Sequence, residues 1–215
     1  MFELVIFDCD GVLVDSEIIS NTVFAKMLGE LGLPLSLKDT IEIFMGKSMS
    51  QCLDIMTLIL GHPPPANFEE NYHQRVDTGF KNGLRPVEGV PEMLRHMKLP
   101  YCVASSGSNE KMRTTLGITG LLPLFTDRLY SATQVAQGKP APEIFLYAAS
   151  QCGVEPRKCA VVEDTPTGVV AGVAAGMTVF GYSGMIPTTR LRQAGAHYIF
   201  KHMHELNRLL NQEAI

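Results

Sequence analysis

Asp8 and Asp10 stand two residues apart, where the apolar run Leu4-Val5-Ile6-Phe7 stops. Two carboxylates that close repel unless a cation sits between them. The hard, oxygen-preferring ion suited to such a pair is Mg²⁺. Asp164 and its neighbour Glu163 close a second apolar run, Cys159-Ala160-Val161-Val162. Adjacent acids ending a hydrophobic segment are not an ordinary core pattern. If the two runs are neighbouring strands, their acids converge on one metal. Taken alone, the Asp-x-Asp pair fits a turn or a helix cap equally well.

A third apolar run, Tyr101-Cys102-Val103-Ala104, ends in Ser105-Ser106-Gly107. Hydroxyls and exposed amides at a strand-to-helix turn suit a phosphate; the plainer use of this segment is helix capping by Ser108 or Asn109. Lys139 is fixed between Gly138 and Pro140-Ala141-Pro142. A lysine held between chain breakers ahead of a helix can aim its ammonium at the same anion, or simply be a solvated loop residue.

These residues need elements to position them. The three runs are short, continuously apolar and stopped by polar turns, as buried parallel strands are. Weaker strand patterns cover Met177 to Phe180 and His197 to Phe200. Helical patterns cover Asn109 to Leu116, Pro142 to Cys152 and Thr167 to Ala175, with Pro142 suited to a first helical turn. This alternation predicts an α/β fold: a Rossmann-like parallel sheet with helices on both faces. Ligands of such sheets bind outside the carboxyl ends of the strands, where all three polar clusters fall.

Residues 16–83 differ in kind. They carry helical periodicity, with Val23, Met27 and Leu31 spaced by four and Leu53, Met56, Ile59 and Leu60 assigned to one face. Gly32-Leu33-Pro34, Gly46 and Gly61-His62-Pro63-Pro64-Pro65 punctuate them. The expected organisation is an α/β core of residues 1–15 and 84–215, with a small all-helical domain, residues 16–83, inserted after the first strand.

Of the 215 residues, 46% are hydrophobic and 19% charged, a globular composition, and the net charge of −4 leaves no basic surplus for nucleic acid. No run approaches the length of a membrane span, and no targeting segment is visible. Five scattered cysteines without a paired motif indicate free thiols and a cytoplasmic setting, with Cys102 and Cys159 in the core. His202 and His204 are expected at the surface. The partner these features allow is a small-molecule phosphate ester, bound by a monomer or small homo-oligomer.

In order and spacing, the polar clusters resemble the four motifs of the haloacid dehalogenase superfamily. Phe7-Asp8-Cys9-Asp10-Gly11-Val12-Leu13-Val14-Asp15-Ser16 resembles the first, Val103-Ala104-Ser105-Ser106-Gly107 the second, Lys139-Pro140-Ala141-Pro142-Glu143-Ile144-Phe145 the third, and Val162-Glu163-Asp164-Thr165-Pro166-Thr167-Gly168 the fourth. The helical insert is similar to the cap of the subgroup holding β-phosphoglucomutase and phosphosugar phosphatases, bacterial 6-phosphogluconate phosphatases among them. The resemblance implies a Mg²⁺-dependent phosphatase with Asp8 as nucleophile and Asp10 as general acid and base. It implies phosphate binding by Ser105, Ser106 and Lys139. Metal binding falls to Asp8, Asp10 and Asp164, with Glu163 ligating directly or orienting metal-bound water. Substrate selection falls to the cap, with Glu17, Asn21, Lys47 in a loop expected to face the cleft, and Arg75 as candidates, and Asn109 beside them. The mutase of this subgroup carries a cap histidine where this chain has Ser20, which favours hydrolysis over a mutase reaction. A non-catalytic binding or regulatory protein on the same fold is the alternative of another class; the intact catalytic positions disfavour it.

Overall fold

Leu4–Phe7 forms β1, with all four side chains buried. It lies at the centre of a six-stranded sheet in a computed structural model that describes residues 1–45, 47–125 and 127–212. The chain divides into two compact units, Met1–Asp15 with Arg85–Ile215, and Ser16–Leu84. Asp15 donates its amide to the Arg85 carbonyl at 2.9 Å, so the first unit closes its own backbone where the insert leaves and returns.

The insert holds α1 (Ser16–Glu30), α2 (Leu37–Phe44), α3 (Met49–Leu60) and α4 (Phe68–Gly83). Phe24 is the hub of its core, with ring centroids 5.0 Å from Phe44, 5.6 Å from Phe68 and 5.4 Å from Tyr72. Met27, Cys52 and Met56 are buried with it, and Val23, Leu31, Leu53 and Leu60 pack against them. Ile59 does not share that face. It is half exposed, because a helix turning 100° per residue carries it round toward solvent beside the exposed Leu58. Ser36 and Ser48 cap α2 and α3, the latter in a reciprocal box with Gln51.

The α/β unit continues with α5 (Val90–Arg95), β2 (Tyr101–Ser105), α6 (Asn109–Ile118), β3 (Leu129–Ser131), α7 (Glu143–Gln151), β4 (Cys159–Glu163), α8 (Pro166–Ala174), β5 (Thr178–Tyr182), α9 (Thr188–Gln193), β6 (Tyr198–Phe200) and α10 (Leu206–Gln212). The strands run parallel in the order β3-β2-β1-β4-β5-β6. By the right-handed rule for parallel crossovers, the helices linking β1 to β3 and those linking β3 to β6 belong on opposite faces of a sheet in this order. Asn207 on α10 donates to the Met93 carbonyl on α5 at 2.9 Å, joining the last helix to the first face. Pro142 sits at the cap of α7 rather than inside its first turn. Strand β3, unsignalled in the sequence, is three residues at the sheet edge. Among the described residues no single helix is long and apolar enough to cross a membrane.

The chain order reverses at β1: it moves out to β3, then returns to β4 on the other side. In parallel sheets ligands bind at such a switch point, beyond the carboxyl ends of the flanking strands, here β1 and β4. Asp8 and the Glu163-Asp164 pair are carried to it.

Candidate active site

Asp8 follows β1 and keeps its ladder, donating its amide to the Val162 carbonyl at 2.9 Å. The chain then folds tightly: Leu13 and Val14 both donate to the Cys9 carbonyl, and Gly11 donates to Val14. Gly11 has φ +73°, and a Cβ there would overlap the Asp164 carboxylate. Glycine is therefore needed twice, for the left-handed backbone and for the close approach of Asp164. Gly168 in the first turn of α8 plays the same part for Glu163, whose carboxylate fills the place of a Cβ. Thr165 caps α8 by accepting from Gly168 at 3.1 Å.

The Lys139 side chain is buried and spends all three ammonium donors inside the site. It donates to Asp8 Oδ1 at 2.5 Å, Glu163 Oε1 at 2.6 Å and the Ala104 carbonyl at 3.2 Å, and lies 4.8 Å from the Phe145 ring centre. Glu163 is as fully occupied. Besides Lys139, its Oε2 accepts from the amides of Asp164 (3.0 Å) and Thr165 (3.1 Å) and from the Thr165 hydroxyl (3.0 Å). Burial pushes the Asp8 carboxyl up to about 7; Lys139 pulls it down, and the nearby Glu163 adds to the rise. For Lys139, burial disfavours the ammonium, but Asp8 and Glu163 outweigh it and hold its pKa above the ordinary value.

Asp8, Glu163 and Asp164 are all buried, and one carboxylate oxygen from each lies within 4.8 Å of the others. Three buried carboxylates face one ammonium, an imbalance that a divalent cation offsets. An all-oxygen donor set is the set a hard ion takes, so the residues fit Mg²⁺. Cys9 lies between the two aspartates but is no rival nucleophile. Burial, then the charges of Asp10 and Asp8, push its thiol well above the ordinary range.

Ser105 is buried at the end of β2, its hydroxyl accepting from the Gly107 amide at 3.1 Å, and Ser106 beside it is exposed. The helix-capping alternative holds too, since Ser108 caps α6. Two further residues join the site without a sequence signal. Ser131, at the end of β3, donates to the Gly107 carbonyl at 2.7 Å and so holds the turn that carries Ser106. Lys111, on α6, reaches Asp10 Oδ2 at 2.7 Å.

Asn109 opens α6 and donates to Gln134 at 3.4 Å. In the helical unit, Glu17 accepts from Asn21 at 3.3 Å, and Arg75 pairs with Glu30 at 2.6 Å on an exposed surface. Lys47 is exposed between α2 and α3, and Gly46 lies outside the described residues.

Residues 2–176 match the haloacid dehalogenase-like hydrolase family. The chain belongs to that family. It is 34% identical over 179 residues to the 6-phosphogluconate phosphatase of Escherichia coli K12, covering 83% of this chain and 81% of that one. A conserved haloacid dehalogenase-like protein of unknown function from Agrobacterium tumefaciens superposes with TM-score 0.94 at 34% identity, over the whole of both chains. A family hydrolase from Deinococcus radiodurans, solved with bound phosphate and sodium, gives TM-score 0.87 at 31% identity, over 99% of this chain and 96% of that one. Among haloacid dehalogenase-like hydrolases this chain is a phosphatase, a phosphoric monoester hydrolase, like its relatives of that kind.

Proposed function

We propose that this phosphatase removes phosphate from a small phosphorylated sugar or sugar acid through an aspartyl-phosphate on Asp8, with Mg²⁺ as cofactor. The observation that carries the reading is the buried group of Asp8, Lys139, Glu163 and Asp164 at the switch point of the sheet. A carboxylate at a strand end, gripped by a buried ammonium, is a preorganised nucleophile rather than a core defect.

In the first step an Asp8 carboxylate oxygen bonds to phosphorus while the ester P–O bond breaks. Asp10 gives its proton to the departing alkoxide, which leaves as the alcohol. In the second step water attacks phosphorus, Asp10 takes the water's proton, and the acyl P–O bond breaks to return Asp8 and inorganic phosphate. Lys139, giving up one of its three present acceptors, and Ser105 hold the phosphoryl oxygens, with Ser106 offering its amide and hydroxyl. Asp8 and Asp164 would hold Mg²⁺ by their side chains and Asp10 by its backbone carbonyl. When bound, the ion relieves the repulsion between a phosphate dianion and the attacking carboxylate. Glu163 already accepts from four donors, so its part is to anchor Lys139 and the turn into α8 rather than to ligate directly.

Similarity to the Escherichia coli enzyme makes 6-phosphogluconate the first compound to test. Ser20, which offers no imidazole, leaves water as the acceptor and free phosphate as the product. The test is phosphate release over a panel of phosphorylated sugars, sugar acids and alditols, with Mg²⁺ and with EDTA. Release confined to Mg²⁺ and strongest on one such ester supports the reading. Interconversion of glucose phosphates with little phosphate freed, or no reaction on any ester, defeats it.

A further inference from the structure

The proton carrier assigned above, Asp10, has an unforeseen companion. Lys111 Nζ lies 2.7 Å from Asp10 Oδ2, across 101 residues of chain. Its backbone is fixed at the start of α6, where its amide donates to the capping Ser108 hydroxyl at 3.2 Å. Its stem runs over Gly107. A Cβ placed there would stand 3.3 Å from Lys111 Cδ, 3.5 Å from Ser105 Oγ and 3.8 Å from Asp10 Oδ2. Gly107 is thus the point at which the phosphate-binding turn, the lysine stem and the acid meet, and Ser131 holds it by its carbonyl.

This ion pair is not explained as a stabiliser. Its side chains are 42% and 21% exposed, and pairs so open to water add little to stability. What it fixes is direction. A carboxyl that must meet a leaving oxygen and then a water has to be held near one rotamer, and misplacement by about 1 Å is costly to a reaction step. Gripping one carboxylate oxygen from a helix whose own start is capped supplies that restraint.

We propose that Lys111 is a positioning residue that orients the Asp10 carboxyl for proton transfer to the leaving-group oxygen. The proposal rests on the reading of Asp10 as general acid. It separates Lys111 from Lys139: both are cations at the same end of the sheet, but Lys139 serves the phosphoryl group every substrate shares, whereas Lys111 serves the leaving group through Asp10. Its effect must therefore depend on how much the leaving group needs a proton.

The experiment measures the first step under single turnover for two esters of one shape, phenyl phosphate and p-nitrophenyl phosphate, with Mg²⁺ present. p-Nitrophenolate departs readily without a proton; phenolate does so far less readily. Lys111→Met should slow phenol release by about 10–100-fold, the usual size of an orienting partner's loss, and leave p-nitrophenol release within about twofold. Lys111→Arg should recover most of the phenol rate, and KM should stay near wild type for both esters. Asp10→Asn, run alongside, should show the same leaving-group dependence more strongly, by about 10²–10⁴-fold on phenol. Equal slowing of both esters by Lys111→Met, a rise in KM alone, or no change overturns the proposal. If Asp10→Asn itself lacks leaving-group dependence, the general-acid reading has failed and Lys111's role falls with it. A dependent Asp10→Asn beside an indifferent Lys111→Met refutes Lys111 alone.

Discussion

The two compact units hold their charges in opposite ways. At the carboxyl end of the sheet, Asp8, Lys139 and Glu163 are buried and bound to one another, and Asp164 is buried beside them. In the helical unit Arg75 and Glu30 pair in the open, Lys47 is exposed, and the buried residues are chiefly apolar, gathered round Phe24. Burying charge is costly unless every partner is in place, so a buried ionic cluster marks chemistry. Exposed charges cost little and can change without loss of fold, which suits residues that choose between substrates. On the proposed reading, reaction and selection fall to separate kinds of residue.

The sharpest way to break this comparison is Lys139→Met. It should lower turnover on the order of 10³-fold on every ester alike, since the phosphoryl oxygens are common to all. Without metal it should also cost about 3–5 kcal/mol of stability, by leaving Asp8 and Glu163 buried without their cation. Activity assays on two unlike esters and denaturant unfolding in EDTA check both. A loss confined to one substrate would move Lys139 into the selecting class.

Phe24→Ala should act on the other unit. Removing the hub ring costs about 3–5 kcal/mol, and the loss should appear as early proteolysis within Ser16–Leu84 while the sheet stays protected. Hydrogen exchange resolves the two. Simultaneous opening of both would show that the units are not separately held.

What the sequence made legible follows the same division. Asp8, Asp164 and Glu163 stood out because carboxylates closing an apolar run contradict the ordinary pattern of a core, and Lys139 stood out because breakers fix it. Lys111 did not: a lysine on a polar helix reads as solvated, and nothing in the order of residues announces a partner 101 positions away. Strand β3 was hidden because three residues carry no periodicity, and Ser131 was hidden with it. Ile59 was misplaced because a short window of apolar residues does not distinguish the covered from the exposed side of α3. The helices flanking the strong strands were readable because capping and period agreed there.

A smaller effect concerns proton and metal. Burial holds the Asp8 carboxyl up to about 7 in the metal-free protein. A raised carboxyl keeps its proton below that value, so protons and Mg²⁺ compete for the same oxygens. Mg²⁺ affinity should therefore fall as pH drops from about 8 to about 6, with proton uptake on metal release. Calorimetry in two buffers of different ionisation enthalpy measures it. Affinity that does not change across this range would place the ion away from Asp8.

The smallest effects belong to the exposed charges. Arg75→Ala should leave both turnover and melting temperature near wild type. Lys47→Ala should lower kcat/KM for the best sugar-acid phosphate by about tenfold, the worth of one charged contact, and leave p-nitrophenyl phosphate untouched. An equal loss on both esters would move Lys47 into the reaction machinery, and no loss on either would remove it from selection.

The central claim is that phosphate passes through Asp8. It is tested most directly by mixing enzyme, Mg²⁺ and substrate, quenching in acid within the first turnover, and mapping phosphoryl groups by peptide mass spectrometry. The account predicts one phosphoryl group on the peptide carrying Asp8, formed as fast as alcohol is released and absent in Asp8→Asn, which should also have lost turnover. Full-rate alcohol release with no phosphoryl group on that peptide, or unchanged turnover in Asp8→Asn, would contradict it.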